Sequence, residues 1–284
     1  MTTVYLNGNY IDRDQAKVSV LDRGFLFADG VYEVIPIYQG KLLRANEHLQ
    51  RLQNSLAAIE LSCPLNNNDW HAIFKQLLAQ YPHPGDYQIY LQITRGAAKE
   101  RTHILPIPAI SPTIYVQITP SKTLSAKQLQ QGLSVITAPD IRWQYCFIKS
   151  ISLLPNILIL QHARQQGADE AILIANGHVT EATASNVFCV KNNLIKTPAK
   201  QKNILGGITR DLTIEVAKQH HIPCEETTVT EQDLNDADEI WLTSSNKDIA
   251  PVTQLNGTPI NGGKIGPMWH VMSKHFERYK RSLL

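Results

Sequence analysis

Short runs of alternating apolar and polar residues recur along the chain, many closed by a pair such as Asn-Gly. Such runs predict antiparallel strands joined by tight turns. Residues 4–6 and 9–11 flank Asn7-Gly8 as a first hairpin. Residues 31–38 turn at Gln39-Gly40 into 41–43. Residues 87–94, 113–119 and 132–137 follow as strands, with a loop at 82–86. Further on, 171–174 and Val179 flank Asn176-Gly177, 187–190 and 194–195 flank Asn192-Asn193, and 239–242 precedes a last turn at Asn256-Gly257. A different period appears between these runs. Leu49, Leu52, Leu56 and Ile59 lie on one helical face, with Asn46 as the expected N-cap. A second helix is expected over 70–81, capped by Asn68 or Asp69. Others are expected after Pro155, over 208–219, near 230–235 and after Gly266-Pro267. Strands outnumber helices in both halves and tight turns join them, which predicts an α+β fold. Residues 120–124 read as a linker, giving domains at 1–120 and 125–284.

Composition narrows the class. The 284 residues are 43% hydrophobic and 18% charged, enough for two cores. Net charge is +2, too balanced to argue for nucleic acid or a membrane surface as partner. No apolar run approaches the roughly 20 residues of a membrane span, and the first residues lead straight into strand-like sequence. Cys63, Cys146, Cys189 and Cys224 are far apart and show no metal-ligand spacing, so no metal site is expected. These features favour a cytoplasmic setting.

Two stretches carry chemistry. The apolar run Tyr145-Cys146-Phe147-Ile148 looks like a buried strand, and Lys149 ends it just before a helix. A buried ammonium is costly unless paired or neutralised. Either Lys149 snorkels to water, or it holds a carbonyl cofactor as a Schiff base. In Thr180-Glu181-Ala182-Thr183-Ala184-Ser185-Asn186, one carboxylate stands beside a hydroxyl-rich run. A pyridoxal phosphate site needs a lysine for the aldehyde, an acid for the ring nitrogen and donors for the phosphate.

Together the two stretches resemble the fold-type IV pyridoxal phosphate enzymes, which include D-amino acid transaminases, branched-chain transaminases and aminodeoxychorismate lyases. The resemblance runs from about Tyr5 to the final helix and is closest to the D-amino acid transaminases. It implies two α+β domains, with pyridoxal 5'-phosphate at their junction and the lysine in the second. Lys149 would form the Schiff base and shuttle the proton. Glu181 would partner the ring nitrogen, and Leu205 would pack on the ring. Arg51, in the pattern His48-Leu49-Gln50-Arg51-Leu52, would bind phosphate with Ile208, Thr209 and Ser245. Tyr32, Arg101 and His103 would receive the substrate carboxylate, the latter two reaching a neighbouring subunit of a homodimer. The implied reaction is transamination of D-alanine with 2-oxoglutarate to pyruvate and D-glutamate. Aminodeoxychorismate lyase and branched-chain L-amino acid transaminase are the alternatives. Residue chemistry alone also allows plainer readings: a solvated helix face for His48 and Arg51, an exposed turn acid for Glu181, a polar loop for Arg101 and His103, and an ordinary turn at Gly206-Gly207. Ala182-Thr183-Ala184 and Ser244-Ser245-Asn246 depart from the family pattern.

Overall fold

The computed structural model describes residues 2–82 and 84–284; His83, in the expected loop at 82–86, lies outside them. Two compact units result. The first is built on a six-stranded antiparallel sheet. Its strands are β1 (Thr3–Leu6), β2 (Asn9–Asp12), β3 (Gly30–Tyr38), β4 (Lys41–Leu42), β5 (Tyr87–Thr94) and β6 (Thr113–Pro120), in the order β2-β1-β6-β5-β3-β4. Asn7 and Gly8 both take positive φ, 48° and 90°, which matches the right-handed strand twist at the first hairpin. The short helix α1 (Arg23–Phe27) precedes β3. Helices α2 (Ala45–Ala58) and α3 (Asn67–Leu78) lay Leu49, Leu52, Leu56, Ile73, Phe74 and Leu77 into one core with Ile35, Ile89, Leu91 and Val116.

Three local expectations change. Asn46 lies inside the first turn of α2. The cap is Arg44, left-handed at φ 56°, whose guanidinium pairs with Glu47 at 2.8 Å. Helix α3 starts before Trp70, because Asn66 caps it and Asp69 closes the capping box from the third helical position. It ends at Leu78, short of Tyr81. The apolar run at 145–148 forms no strand: Cys146 and Ile148 are buried while Tyr145 and Phe147 are exposed. Its alternation is real but no ladder runs along it. Just beyond it, a single bridge joins Ser150 to Val31.

The second unit carries α4 (Ala126–Gln131), β7 (Leu133–Pro139), α5 (Leu154–Gln165), β8 (Glu170–Ala175), β9 (His178–Ala182), β10 (Asn186–Lys191), β11 (Leu194–Pro198), α6 (Ile208–Gln219), β12 (Cys224–Thr227), α7 (Glu231–Asn235), β13 (Glu239–Ser244), β14 (Asp248–Leu255), β15 (Thr258–Pro259) and α8 (Pro267–Arg281). Its sheet runs β12-β11-β10-β13-β14-β7-β8-β9, with β15 on β14. Hairpins do not account for all of it. β7 pairs in parallel with both β14 and β8, and β11 with β12. A parallel pair needs a crossover, and α5 supplies the one from β7 to β8, burying Ile159 and Ala163 on Ile136 and Leu173.

The boundary between units is not the single cut read from the sequence. The first unit runs to Ser121 and also takes in Ile148–Ser152, so Lys149 packs with the first unit rather than the second. The Ile148 side chain joins the first unit's core, and backbone pairing with β3 holds the residues that follow. Among the described residues, no helix is long and apolar enough to cross a membrane.

Candidate active site

Lys149 is held through its backbone. Its N–H donates to Ser55 Oγ at 3.1 Å, and its carbonyl accepts the Tyr32 N–H at 3.0 Å. The half-buried side chain brings Nζ within 4.2 Å of the centre of the Tyr32 ring. On β3, Tyr32 and Glu33 point to opposite faces. Tyr32 lies beside Tyr90, ring centres 5.9 Å apart. Burial pushes the Tyr90 phenol up to about 12.

Glu33 is fully buried, on the same face as Val31, Ile35 and Ile37. Arg51 grips it with two bonds, Nε to Oε1 at 2.7 Å and Nη2 to Oε2 at 2.8 Å. His48 Nδ1 lies 2.8 Å from Oε2. Burial alone would raise the Glu33 pKa, but Arg51 and then His48 hold the carboxyl far below the ordinary range. For His48 burial wins over Glu33's attraction, and the imidazole is shifted toward neutral. The helix face of His48, Arg51 and Ser55 is therefore no solvated face. It meets Glu33 at one end and the Lys149 backbone at the other.

In the second unit Glu181, near the end of β9, is also buried. Arg142 Nη1 donates to its Oε1, and the Leu205 N–H donates to Oε2 at 3.3 Å. Arg142 is itself held by Asp140, Nε to Oδ1 at 2.9 Å and Nη2 to Oδ2 at 2.7 Å; Thr180 Oγ1 donates to Asp140 Oδ2 at 2.7 Å. Burial pushes the Glu181 carboxyl up, against the pull of Arg142. Two carboxylates on one guanidinium keep Arg142 charged.

Gly207 caps α6, so the N–H groups of Ile208 and Thr209 open its first turn, where anions are favoured. Asn186 Nδ2 donates to the Leu205 carbonyl at 2.9 Å, and a Cβ at Gly207 would lie 2.0 Å from Asn186 Oδ1. Thr243 stands opposite Asn186 in the β10–β13 ladder, so Ser245, two residues on, flanks the same strand end. Arg101 and His103 are exposed. Each lies against Phe27, the Arg101 guanidinium 4.9 Å and the His103 ring 5.3 Å from its ring centre, rather than with Tyr32 and Lys149.

The structure thus gathers Tyr32, Arg51 and Lys149 in one unit, and Glu181, Leu205, Ile208, Thr209 and Ser245 in the other. Sequence reasoning missed the partners that orient them. Glu33 had a signal: it is a carboxylate at an apolar-parity position of an alternating strand. Arg142 had none beyond its place two residues after Asp140.

An amine beside an aromatic ring, a buried acid and a glycine-fed helix start are the parts from which a pyridoxal phosphate site is built. The chain belongs to the amino-transferase class IV family, whose model matches residues 30–255. It is 38% identical to the D-alanine aminotransferase of Listeria monocytogenes serotype 4b (strain F2365), over 96% of this chain and 94% of that one. It is 38% identical to the D-alanine aminotransferase of Staphylococcus aureus (strain N315), over 99% of both. Among solved structures, the branched-chain amino acid aminotransferase of Escherichia coli superposes with a TM-score of 0.89 at 24% identity, covering 97% of this chain and 93% of that one. The branched-chain aminotransferase of the thermophilic archaeon Thermoproteus uzoniensis, solved with norvaline, gives 0.85 at 24%, covering 99% and 94%. These two likenesses speak to the fold.

Class IV aminotransferases use pyridoxal phosphate, and the residues present fit it. Buried polar atoms are almost always bonded. Yet Thr183 Oγ1, Thr243 Oγ1 and Asn246 Oδ1 are buried without a partner. They belong to the segments that follow Glu181 and flank Ser245, where a polar ligand would satisfy them.

Proposed function

We propose that the chain is a pyridoxal phosphate-dependent D-amino acid transaminase, moving the amino group of D-alanine to 2-oxoglutarate and leaving pyruvate and D-glutamate. The observation that carries this reading is 38% identity over nearly the whole chain to D-alanine aminotransferases. When bound, pyridoxal phosphate supplies an aldehyde for a lysine amine and a ring that draws electrons from the substrate's Cα.

Lys149 Nζ would be the amine that holds the group, and once the substrate's amine has displaced it, would be the base that takes the proton from the substrate's Cα. Its backbone is tied on both sides, so the side chain alone swings. Glu181 would partner the ring nitrogen and favour its protonated form, and Leu205, whose N–H donates to Glu181, would pack on the ring. Arg51, the N–H groups of Ile208 and Thr209, and Ser245 would hold the phosphate. Glu181→Gln would remove the carboxylate that favours a protonated ring nitrogen, and with it the ring's pull on electrons, so single-turnover rates should fall about a hundredfold. An unchanged rate would sink this role.

Tyr32, Arg101 and His103 receive the substrate carboxylate. Lys149 would reach the substrate's Cα from one side and take only a proton that points at it, so the side that receives the carboxylate would set the enantiomer. Arg101 and His103 serve a neighbouring subunit of a homodimer. Their exposure supports this, as do the exposed Ile104, Leu105 and Ile107 just beyond them. Arg101→Ala should raise KM for D-alanine by about ten- to a hundredfold, the loss of one charge-assisted contact. Mixing it with Lys149→Ala should restore activity, because hybrid dimers would carry one complete site. No recovery after demonstrated subunit exchange would count against sharing. The same reading puts the enzyme in the cytoplasm.

A further inference from the structure

Arg23 ties the start of the loop that carries Arg101 and His103 to its return. The Arg23 N–H donates to the Gly96 carbonyl at 2.8 Å, where the loop begins. The Arg23 Nη1 donates to the Thr102 carbonyl at 2.6 Å and the Ile104 carbonyl at 3.4 Å, where the loop returns. Arg23 is 4% exposed, although Arg101, Thr102 and His103 around it are exposed. Its guanidinium carbon also lies 4.9 Å from the centre of Phe27, the ring that Arg101 and His103 pack against.

Arg23 is itself anchored. Asp29 accepts from Arg23 Nε and from Arg95 Nε, both at 2.8 Å. Arg95 in turn donates to the Ile59 and Glu60 carbonyls at 2.7 and 3.0 Å. Asp22 caps α1 and accepts from Thr113 Oγ1 at 2.5 Å. Gly96 has φ 94°, and a Cβ there would lie 2.0 Å from the Ser111 carbonyl oxygen, so the start of the loop has one backbone route. A loop with exposed side chains is thus hung from a buried, charge-paired frame.

We propose that Arg23 is a positioning residue for the substrate carboxylate: by gripping the carbonyl of Thr102, it sets the directions in which Arg101 and His103 leave the loop. The inference rests on the reading above that these two residues receive the carboxylate. A guanidinium rewards a carboxylate only in a narrow, paired geometry. A loop released at Thr102 keeps both side chains and loses their aim.

The test compares Arg23→Gln, Arg23→Lys and Arg101→Ala as holoenzymes. Arg23→Lys keeps a charge for Asp29 but lacks the planar fork that reaches Asp29 and the Thr102 carbonyl together, so it decides the matter if Arg23→Gln fails to fold. Propionate, a carboxylate without an amine, is titrated through the cofactor's absorbance, alongside kcat and KM for D-alanine. Arg23→Gln and Arg23→Lys should each weaken propionate and raise KM about tenfold, with kcat changed less than about threefold and cofactor content kept, as expected for one misaimed charge-assisted contact. If Arg101→Ala weakens propionate while the other two do not, Arg23 is only scaffold and the inference falls alone. If Arg101→Ala leaves propionate binding unchanged, the carboxylate reading falls and takes this inference with it.

Discussion

Replacing Lys149 with alanine lowers transamination by at least about a thousandfold, the scale of losing a general acid–base, and removes the covalent hold on the cofactor as well. Borohydride reduction of the wild type should fix pyridoxyl on Lys149; attachment to another residue would contradict the assignment. The loss should not come from unfolding. The Lys149 backbone contacts to Ser55 and Tyr32 survive the change. The side chain contributes one contact to the Tyr32 ring, worth about 0.5–1 kcal/mol at a partly exposed site. Near-wild-type melting with abolished turnover is therefore the expected pair of results.

Glu33→Gln should have the largest effect on stability. It leaves the Arg51 guanidinium facing a neutral amide in a buried place. Removing one partner of a buried ion pair costs about 3–5 kcal/mol. Arg51 keeps 12% of its side chain accessible, so the lower end, about 3 kcal/mol, applies. Urea unfolding at neutral pH measures it; a difference under about 1 kcal/mol would mean that the pair is worth no more than a surface one.

The pH profile gives a second readout. The folded Glu33 pKa lies below its ordinary value of 4.5. Its contribution is therefore full above that value, and is lost as pH falls from there toward the depressed folded pKa. His48 is lowered from 6.5, so the unfolded chain takes that proton first and stability declines with acid from about 6.5. The wild type should lose stability across both windows. In Glu33→Gln the Glu33 share of the lower window is gone.

How much of this the sequence carries depends on whether a residue's neighbours are local. The turn pairs Asn7-Gly8, Asn176-Gly177 and Asn192-Asn193 demand positive φ whatever surrounds them, so the hairpins were legible. Leu49, Leu52 and Leu56 declare a helix face by spacing alone. Lys149 and Glu181 were legible as chemistry because each stands out in its own segment. Their settings were not. The alternation of 145–148 suggested a strand, but a strand needs a partner and the sequence does not show one. Lys149 packs, within the short segment Ile148–Ser152, with a unit whose main run ends at Ser121. His48 and Arg51 looked like a solvated face because their partner, Glu33, lies on another element. Arg142 takes its meaning from Glu181, thirty-nine residues away.

The most direct measurement is the single-turnover reaction of the holoenzyme with D-alanine and L-alanine, followed at the cofactor. L-leucine and aminodeoxychorismate are run in parallel. The account predicts fast conversion with D-alanine, pyruvate released in step, and little change with either L-amino acid. Faster reaction with an L-amino acid, or pyruvate from aminodeoxychorismate with none from D-alanine, would contradict it.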